Sequence, residues 1–305
     1  AVLMTGATPV LVDIDDTLTM APKAVENAIS VKTRAVMPVH MCGSMADMDA
    51  LLSLCHKHGL LLIEDACQAI GGKYKGRSLG TIGDMGCFSF DAVKTITCGE
   101  GGGVITNNDH YAKLLDHYTD HGHDHIGDNR GAESHPIIGY NFRISELNSA
   151  VGLAQARRLQ EFLALQKKHY TVLKDALKFL PQLTFRRVPE GGEESYAFLN
   201  FFLPSVDEAK TVMTQFNAQG IDACFHYLEN NWHYVLAWEH LKEGRSVNNM
   251  NHSQKEGLAR LSKQNFHVSD HYIGRNISCL IKIGWSLEET EDRARSMVRI
   301  INSMI

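Results

Sequence analysis

The sequence predicts an α/β protein with a large domain over residues 1–165, built on a mostly parallel sheet, and a smaller α+β domain over residues 166–305. Three observations lead to this prediction. In the first half, short apolar runs alternate with amphipathic helical segments, which is the pattern of βαβ units. A long helical region follows. After a polar stretch at 188–195, strand and helix patterns alternate again.

The first part contains the signals of several strands and one helix. The helix covers residues 45–58, where apolar residues recur at helical spacing, and Gly59 supplies a C-terminal stop. The strands are short apolar runs bounded by turn-forming residues. They cover residues 10–12, 35–39, 60–63, 87–90 and 103–106.

A single long helix is predicted over residues 145–180, opening with Ser145 as a cap and stopping before Pro181. The stretch VPEGGEES that follows is predicted to be a linker. A last helix begins with the capping pattern of Ser286 and Glu289. Between linker and last helix, the sequence predicts a strand at 196–203, a helix at 206–219 and strands at 221–228 and 277–283.

Composition excludes several classes of protein. The chain has 305 residues, 44% of them hydrophobic and 21% charged, so global disorder is not expected. A net charge of -5 without a basic tract argues against nucleic-acid binding. The apolar runs are too short to span a bilayer, and we find no signal peptide. Seven cysteines without a C-x-x-C pattern favour free thiols in a reducing cytoplasm over a disulfide framework.

The segment PVLVDIDDTLTM contains D-x-D-x-T, with Asp13, Asp15 and Thr17, the first motif of haloacid-dehalogenase-type phosphatases. Such an enzyme also needs a later Ser or Thr, a Lys and an acidic pair that holds magnesium. The candidate segment GDMGCFSFD lacks the second acid at the required spacing, and no suitable Lys precedes it. We therefore interpret the acidic residues as the exit turn of a strand, and a phosphatase remains only a remote alternative.

A second constellation carries more chemistry. Asp65 ends an apolar strand, where open α/β sheets place ligand groups, and Ser89 and Lys94 precede a glycine-rich run at 99–103. A lysine among apolar neighbours can act as an amine nucleophile, and a carboxylate can hold a pyridinium nitrogen protonated. These are parts needed to hold pyridoxal 5'-phosphate. On spacing alone, an ordinary surface Lys94 and a helix-capping Asp65 remain equally open.

Three ordered motifs, EDACQAIGGKYKG, GDMGCFSF-x-x-x-K with EGGGVITN, and GYNFRISELNSAVGLAQ, resemble the DegT/DnrJ/EryC1/StrS sugar aminotransferases, which are fold-type I pyridoxal phosphate enzymes. The resemblance implies that Lys94 bonds the cofactor covalently and that Asp65 pairs with its pyridine nitrogen. It places Gln68 beside the ring's 3-oxygen and Ser89 at the phosphate. It also implies that Asn141 reaches the phosphate of a neighbouring subunit, so that a homodimer shares its active sites.

A narrower resemblance concerns the substrate. VHMCGSMADMD, SFDAVKTITCGEGG, DHGHDHIGDNRGAESHPI and NNWHY are similar to the subgroup that aminates the 8-oxo form of the lipopolysaccharide sugar 3-deoxy-octulosonate, with glutamate as donor. An acidic keto-sugar needs cationic and hydrogen-bonding groups. We expect them from one set of side chains, namely His121, His123, His125, Arg130, His226 and His233. A nucleotide-linked 4-keto sugar is the alternative substrate.

Two further features qualify this interpretation. Against the family pattern, the chain is expected to be incomplete at the N-terminal side of the large domain, because we find no Ser-Gly-Thr phosphate loop and no ring-stacking aromatic residue. The histidines at 117, 121, 123, 125 and 135 suggest a zinc site, but no Cys or Glu completes a recognised spacing, so we predict no metal. Solvated loop histidines remain open as the alternative to substrate contact.

Two other activities of the same fold stay open. The first is sugar dehydration, although relatives that dehydrate replace the lysine with His, and Lys94 is present here. The second is a regulatory protein without catalysis. The set Asp65, Gln68, Ser89 and Lys94 argues against it.

Overall fold

The structure is a computed structural model that describes residues 1–230, 232–247 and 249–304. The chain forms two compact units. The first, here called the sheet unit, comprises Arg34–Leu165 and Glu190–Ser195. The second, the C-terminal unit, comprises Ala1–Thr33, Gln166–Pro189 and Tyr196–Ile305.

The first 33 residues differ from the prediction, which assigned them to the large domain. They group with the C-terminal unit, whose side chains form hydrogen bonds with both the backbone and the side chains of this segment. Gln254 Nε2 donates to the Leu3 carbonyl at 2.7 Å, and Ser269 Oγ donates to Asp13 Oδ1 at 2.7 Å.

Both units are mixtures of helices and short strands. The helices in the described ranges are α1 Pro22–Ala28, α2 Met48–His58, α3 Asp109–Thr119, α4 Glu146–Arg157, α5 Leu159–Leu177, α6 Val206–Ala218, α7 Glu239–Lys242, α8 His252–Leu261, α9 His267–Arg275 and α10 Leu287–Met304. The strands are β1 Ala35–Val36, β2 Leu61–Asp65, β3 Lys73–Tyr74, β4 Arg77–Ser78, β5 Met85–Ser89, β6 Gly102–Ile105, β7 Thr184–Phe185, β8 Gly192–Glu193, β9 Phe198–Phe202, β10 Cys224–Phe225 and β11 Asn276–Leu280. None of these helices is long and apolar enough to cross a membrane.

The sheet unit is built on a sheet of order β1-β2-β5-β6. The pairs β1/β2 and β2/β5 are parallel, as predicted, whereas β6 runs antiparallel to β5. Helix α2 begins where the Asp47 side chain accepts the amide of Ala50, and it ends at Gly59 with φ of 63°. The sheet therefore brings the carboxyl ends of β2 and β5 to one edge.

The C-terminal unit has an antiparallel sheet of order β10-β11-β9-β7. Strand β9 is buried at four of its five positions, and so is β11. Both faces of each strand are therefore covered by other parts of the protein. Helices α6 and α10 cover this sheet with the buried side chains Phe216, Met297 and Ile300. This cluster is the main hydrophobic core of the unit.

The predicted long helix is divided. The structure has α4 and α5 with Arg158 between them, at φ of -99° and ψ of 1°, values outside the helical range. Arg158 donates to both carboxylate oxygens of Glu161, at 3.0 and 2.9 Å, and its guanidinium lies over the Phe162 ring. These contacts stabilise the break, which periodicity alone does not reveal.

Two other predictions are wrong. Residues 10–12 form no strand, since only an isolated antiparallel bridge joins Ile14 and Met20. Residues 188–195 are not a free linker, because β8 pairs with β3 and the Ser195 amide donates to the Gly43 carbonyl at 2.8 Å. The backbone of this polar stretch is thus used to extend a small sheet.

The acidic segment at 13–17 forms a turn, as interpreted from the sequence. Asp15 Oδ1 accepts the Thr17 amide at 2.9 Å and the Thr17 hydroxyl at 2.5 Å. Arg187 donates to Asp16 Oδ1 at 2.8 Å and to Asp15 Oδ2 at 3.3 Å. Together with Asp13, which accepts from Ser269, these carboxylates serve the local fold.

His169 is a buried histidine of the C-terminal unit. It is 2% exposed, and its Nδ1 lies 2.8 Å from the Thr290 hydroxyl, which itself donates to Ser286. Nδ1 is therefore the protonated nitrogen, while buried Nε2 has no hydrogen-bond partner among the described residues. Burial, aided by Lys168, lowers the pKa of His169.

We expect the free energy of unfolding to fall as pH decreases below about 6.5, because the unfolded chain then binds a proton that folded His169 excludes. The loss is at most about 1.4 kcal/mol per pH unit until the lowered folded pKa is reached. Urea unfolding between pH 7 and pH 5 measures this slope. His169→Gln should flatten it, and His110→Gln, at an exposed position of α3, should leave it as in the wild type.

Candidate active site

Two predicted site residues lie at neighbouring strand ends of the sheet unit. Asp65 is the last residue of β2 and is paired in register with Cys87 of β5. Ser89 is the last residue of β5, two residues further along the same strand and about 7 Å beyond Cys87. Both side chains are half-buried. A carboxylate and a hydroxyl therefore stand at one edge of the sheet.

Lys94 lies in the loop between β5 and β6. Its side chain is 18% exposed, and its Nζ is 3.5 Å from Asp91 Oδ2. The same carboxylate oxygen is 3.5 Å from Ser89 Oγ. The loop closes on itself through the Cys98 amide, which donates to the Phe90 carbonyl at 2.9 Å. Asp91 thus holds the amine and the hydroxyl in one neighbourhood.

Cys67 contacts residues of both β2 and β5. Its amide donates to Asp65 Oδ1 at 3.1 Å, and its thiol lies 3.7 Å from the Cys87 carbonyl. Burial raises the pKa of the Cys67 thiol to about 12, with Asp65 and Cys87 adding to the shift and Lys94 opposing it. Cys67 therefore contacts the last residue of β2 and the middle of β5.

Gln68, the third predicted residue at this edge, is held by the backbone of another loop. Its Oε1 accepts the Cys42 amide at 2.8 Å. Cys42 is buried and has a left-handed conformation, with φ of 54°. The side-chain amide of Gln68 is thereby oriented, with its oxygen committed to the loop at 41–43.

Glu64 supports the end of β2 from the opposite face to Asp65. Its side chain is fully buried and accepts His40 Nε2 at 2.9 Å and the amides of Gly80, Ile82 and Gly83 at 2.8, 2.5 and 2.7 Å. Burial alone would raise the pKa of Glu64, but the hydrogen bonds from His40, Gly83 and Gly80 lower it below its usual value. One buried carboxylate thus fixes the loop at 80–83 against β2.

We expect Glu64→Ala to lower the free energy of unfolding by about 3 kcal/mol or more, because three buried amides and His40 lose their acceptor. The Glu64 contribution should also disappear as pH falls through the lowered folded pKa, since the carboxylate is then protonated. Urea unfolding followed by circular dichroism measures both effects. The exposed Glu100→Ala variant is the matched control, and equal stability of the two variants would contradict this role for Glu64.

The predicted substrate loop is organised by Asp120, whose side chain is only 8% exposed. Arg130 Nη2 donates to it at 2.6 Å, His125 Nε2 lies at 3.0 Å, and Arg143 and His121 also contact it. The hydrogen bond from Arg130, followed by those from His125, His121 and Arg143, holds the pKa of Asp120 far below its usual range. Asp120 and Asp116 in turn raise the pKa of His125.

The loop is therefore ordered and largely neutralised from within. His123 Nδ1 lies 2.8 Å from Glu133 Oε2, although the two groups are not aligned for a hydrogen bond. Asp120, His121 and His123 offer ligand atoms within 4.8 Å of one another, which would suit a metal ion. The two guanidinium groups bound to Asp120 oppose a cation there, so the geometry does not favour zinc.

Asn141 follows this loop. It forms an isolated antiparallel bridge with Asp120, and its side chain is exposed. The residues around it form an exposed apolar face, and within the described residues helix α4 buries no side chain. This face comprises Ile138, Tyr140, Phe142, Ile144, Leu147, Val151 and Leu153.

The remaining two predicted substrate residues belong to the C-terminal unit. His226 is buried, and its Nε2 lies 2.8 Å from the Gly274 carbonyl. His233 is exposed and packs edge-on against the Tyr227 ring, with centroids 5.0 Å apart. A substrate role for either residue stays a prediction.

Comparison with known proteins now identifies the family. The family model described as the DegT/DnrJ/EryC1/StrS aminotransferase family matches residues 1–259. The chain belongs to this family. GDP-perosamine synthase of Caulobacter vibrioides is 42% identical over 164 residues, which are 53% of this chain and 43% of the synthase. The matched region is thus less than half the length of that relative.

Solved structures share the fold. The aminotransferase from Psychrobacter cryohalolentis has a TM-score of 0.81 at 24% identity, over 98% of this chain and 76% of that chain. The E. coli GDP-4-keto-6-deoxy-D-mannose-3-dehydratase with bound hydrated PLP has a TM-score of 0.76 at 21% identity, over 95% and 73%. The predicted fold, that of fold-type I pyridoxal phosphate enzymes, is confirmed. Enzymes of this family use pyridoxal phosphate as cofactor.

The residues of the sheet unit fit this cofactor chemically. A half-buried carboxylate, a hydroxyl and a partly shielded amine stand near one another at Asp65, Ser89 and Lys94. They match the ring nitrogen, the phosphate and the aldehyde of pyridoxal phosphate, respectively. Their individual roles, with those of Gln68 and Asn141, stay predictions.

Sequence reasoning missed several residues that shape this edge. Asp91, Glu64 and His40 lie inside the quoted motifs, but no role was predicted for them, and in the structure they contact neighbouring residues of the site. For Glu64 a signal existed, since an acidic residue inside the apolar run LLLIED must find buried partners. The Asp120 cluster has no comparable signal, because Arg143 lies 23 residues from Asp120 in the chain.

Proposed function

We propose that this chain is a pyridoxal-phosphate-dependent aminotransferase that moves an amino group from glutamate to a keto-sugar. Family membership supports the reaction class. The observation that carries the proposal is the position of Asp65 and Lys94. Asp65 ends β2 in register with Cys87, and Lys94 Nζ lies 3.5 Å from Asp91 Oδ2, an oxygen that is also 3.5 Å from Ser89 Oγ at the end of β5. Asp65 and Lys94 are the two charged groups that pyridoxal chemistry needs at opposite ends of its ring.

When bound, pyridoxal phosphate supplies an electron-withdrawing ring that stabilises negative charge on the carbon bearing the transferred nitrogen. In our proposal Asp65 accepts a hydrogen bond from the protonated ring nitrogen. The Ser89 hydroxyl donates to a phosphate oxygen, and the Gln68 side chain lies beside the ring. Lys94 would hold the cofactor by bonding its aldehyde carbon with loss of water, and its amine would later carry a proton to and from the substrate carbon.

Asp91 and Asn141 have supporting roles in this proposal. Asp91 keeps Lys94 near Ser89 before the cofactor binds, because Lys94 Nζ lies 3.5 Å from the Asp91 carboxylate. Asn141 reaches the phosphate of a second subunit, as the family resemblance implies. The chemistry thus comes from Lys94 and Asp65, and the other residues orient them or the cofactor.

For the acceptor we propose 8-oxo-3-deoxy-octulosonate, which makes the protein an 8-amino-3,8-dideoxy-D-manno-octulosonate aminotransferase of lipopolysaccharide sugar biosynthesis. The resemblance of the HGHDHIGDNRGAESHP loop supports this choice. The loop concentrates His121, His123, His125 and Arg130, although Arg130 and His125 already contact Asp120. A sugar carboxylate would therefore compete with Asp120 for these cations.

A GDP-linked 4-keto sugar is the second candidate acceptor. It is supported by the 42% identity to GDP-perosamine synthase over 164 residues. A sugar dehydratase of the same fold is less well supported, because Lys94 is present where the family's dehydratases carry His. The family match leaves no support for a phosphatase.

A substrate panel with glutamate as donor tests these proposals. We expect 2-oxoglutarate to form with 8-oxo-3-deoxy-octulosonate and not with GDP-4-keto-6-deoxymannose. The opposite preference would exclude the octulosonate proposal and leave aminotransfer intact. Release of water and ammonia without net amino transfer would instead indicate dehydration and overturn the aminotransferase proposal.

We also propose that the protein is a homodimer that buries the apolar face around Phe142 and Leu147. Seven large apolar side chains exposed on one contiguous segment exceed what an isolated surface needs. The family resemblance for Asn141, which lies within this segment, makes a second copy the proposed occupant.

The free thiols of all seven cysteines support a reducing, cytoplasmic location.

Light scattering tests the dimer. We expect the wild type to have twice the mass of the chain, and Leu147→Glu to shift it toward the monomer, because a carboxylate would be buried without a partner. Phe179→Glu, at a residue 78% exposed in the C-terminal unit, is the matched control. A wild-type monomer that holds its full complement of cofactor would contradict the proposal.

A further inference from the structure

Two cysteines of the C-terminal unit face each other across adjacent strands. The sulfur atoms of Cys224 on β10 and Cys279 on β11 are 2.9 Å apart. The two residues are directly opposite in the antiparallel register, and they are only 7% and 2% exposed. The proposed aminotransfer does not use these two cysteines, which lie outside the sheet unit.

The strand geometry brings these two side chains unusually close. The Leu280 amide donates to the Ala223 carbonyl at 2.8 Å, so the backbone hydrogen bonds belong to the neighbouring pair. Cys224 and Cys279 are therefore a non-hydrogen-bonded pair, in which Cα atoms lie about 4.5 Å apart and side chains approach most closely. That separation falls within the roughly 4.4–6.8 Å over which disulfides form.

Access to the pair is through β10. This strand has two residues and is the edge of its sheet, whereas β11 lies inside between β10 and β9. Burial, together with the neighbouring Cys224, raises the pKa of the Cys279 thiol well above its usual value, so the closed pair reacts slowly. Local opening of a short edge strand exposes Cys224 without unfolding the core.

We propose that Cys224 and Cys279 are a redox modification site. The two cysteines form a reversible intramolecular disulfide, and the oxidant is a low-molecular-weight disulfide such as glutathione disulfide. The Cys224 thiolate attacks one glutathione sulfur and releases one glutathione thiolate. Cys279 then attacks the Cys224 sulfur and releases the second. The two released glutathione thiolates take up the two protons that the cysteines lose, so that in total two electrons and two protons pass from the cysteines to glutathione disulfide, which becomes two thiols.

The bond would join residues that are 55 positions apart. The closed loop includes α7, α8 and α9, and it contains His226 and His233. Cross-linking restricts the unfolded chain over this length, so oxidation should raise the melting temperature by about 5 °C.

Thiol counting and peptide mapping of the whole protein test the proposal. The reduced protein should have seven titratable thiols in denaturant, the number of its cysteines, and two fewer after incubation with glutathione disulfide. Non-reducing digestion should yield one peptide pair joining Cys224 to Cys279, and dithiothreitol should restore both thiols. The wild-type map alone decides the question, so no variant needs to fold.

The matched control concerns the other neighbouring thiols, Cys67 and Cys87, which interact in the sheet unit. Cys67→Ser should still lose two thiols on oxidation, and Cys224→Ser should form no intramolecular disulfide. Unchanged thiols, a glutathione adduct that never resolves on Cys224, or a linked pair from Cys67 and Cys87 alone would overturn the proposal. None of these outcomes depends on aminotransfer, so the proposed function stands or falls separately.

Discussion

Lys94→Ala should reduce amino transfer at least about 1,000-fold, because this change removes both the amine that bonds the cofactor and the proton carrier. The fold should remain, since Lys94 lies in a loop and its ionic contact with Asp91 is long, at 3.5 Å. Single-turnover assays measure the rate, and the visible absorption of the purified protein reports the bound cofactor. Added amines of small size should restore part of the proton transfer in the variant.

Lys113→Ala, at an exposed position of α3, is the matched control and should keep wild-type activity and colour. A Lys94→Ala protein that transaminates at the wild-type rate would contradict the assignment. A variant that is unfolded by circular dichroism would have to be replaced by Lys94→Arg, which keeps the charge and side-chain length but cannot form the covalent bond.

Asp65→Asn should have the second largest effect, lowering the rate about 100-fold or more. An amide does not stabilise a protonated ring nitrogen, so the ring becomes a weaker electron acceptor. The asparagine oxygen can still accept the Cys67 amide, as Asp65 Oδ1 does at 3.1 Å, so the turn at the end of β2 should survive. Steady-state kinetics should assign the loss mainly to kcat.

Asp109→Asn provides the comparison, because Asp109 is exposed in the first turn of α3. It should behave as the wild type. Undiminished turnover by Asp65→Asn would exclude the role given to Asp65. A melting temperature lowered as much as in Glu64→Ala would indicate that Asp65 serves the fold instead.

The sheet of the first half was largely predictable from the sequence. β2, β5 and β6 lie within one or two residues of the predicted strands, because each is a short apolar run bounded by turn residues. The antiparallel direction of β6 was not predictable, since periodicity carries no information on strand direction. β10 is shorter than predicted, because only Cys224 and Phe225 pair with β11.

The candidate site was predictable as a list of residues but not as a set of contacts. The pairing of Asp65 with Cys87 depends on the register of β2 with β5, which a single sequence does not encode. The histidines and Arg130 of the loop were predicted to be available to a substrate. In the structure, His125 and Arg130 already contact the Asp120 carboxylate, which the sequence did not indicate. Long-range partners of this kind arise from the folded chain rather than from a local pattern.

The central claim is that Lys94 is the residue that bonds pyridoxal phosphate. Incubating the whole protein with the cofactor, reducing with borohydride and mapping the peptides by mass spectrometry tests this claim directly. We expect one phosphopyridoxyl group per chain, on the peptide that contains Lys94. Modification of any other lysine in preference to Lys94, or no modification at saturating cofactor, would contradict it.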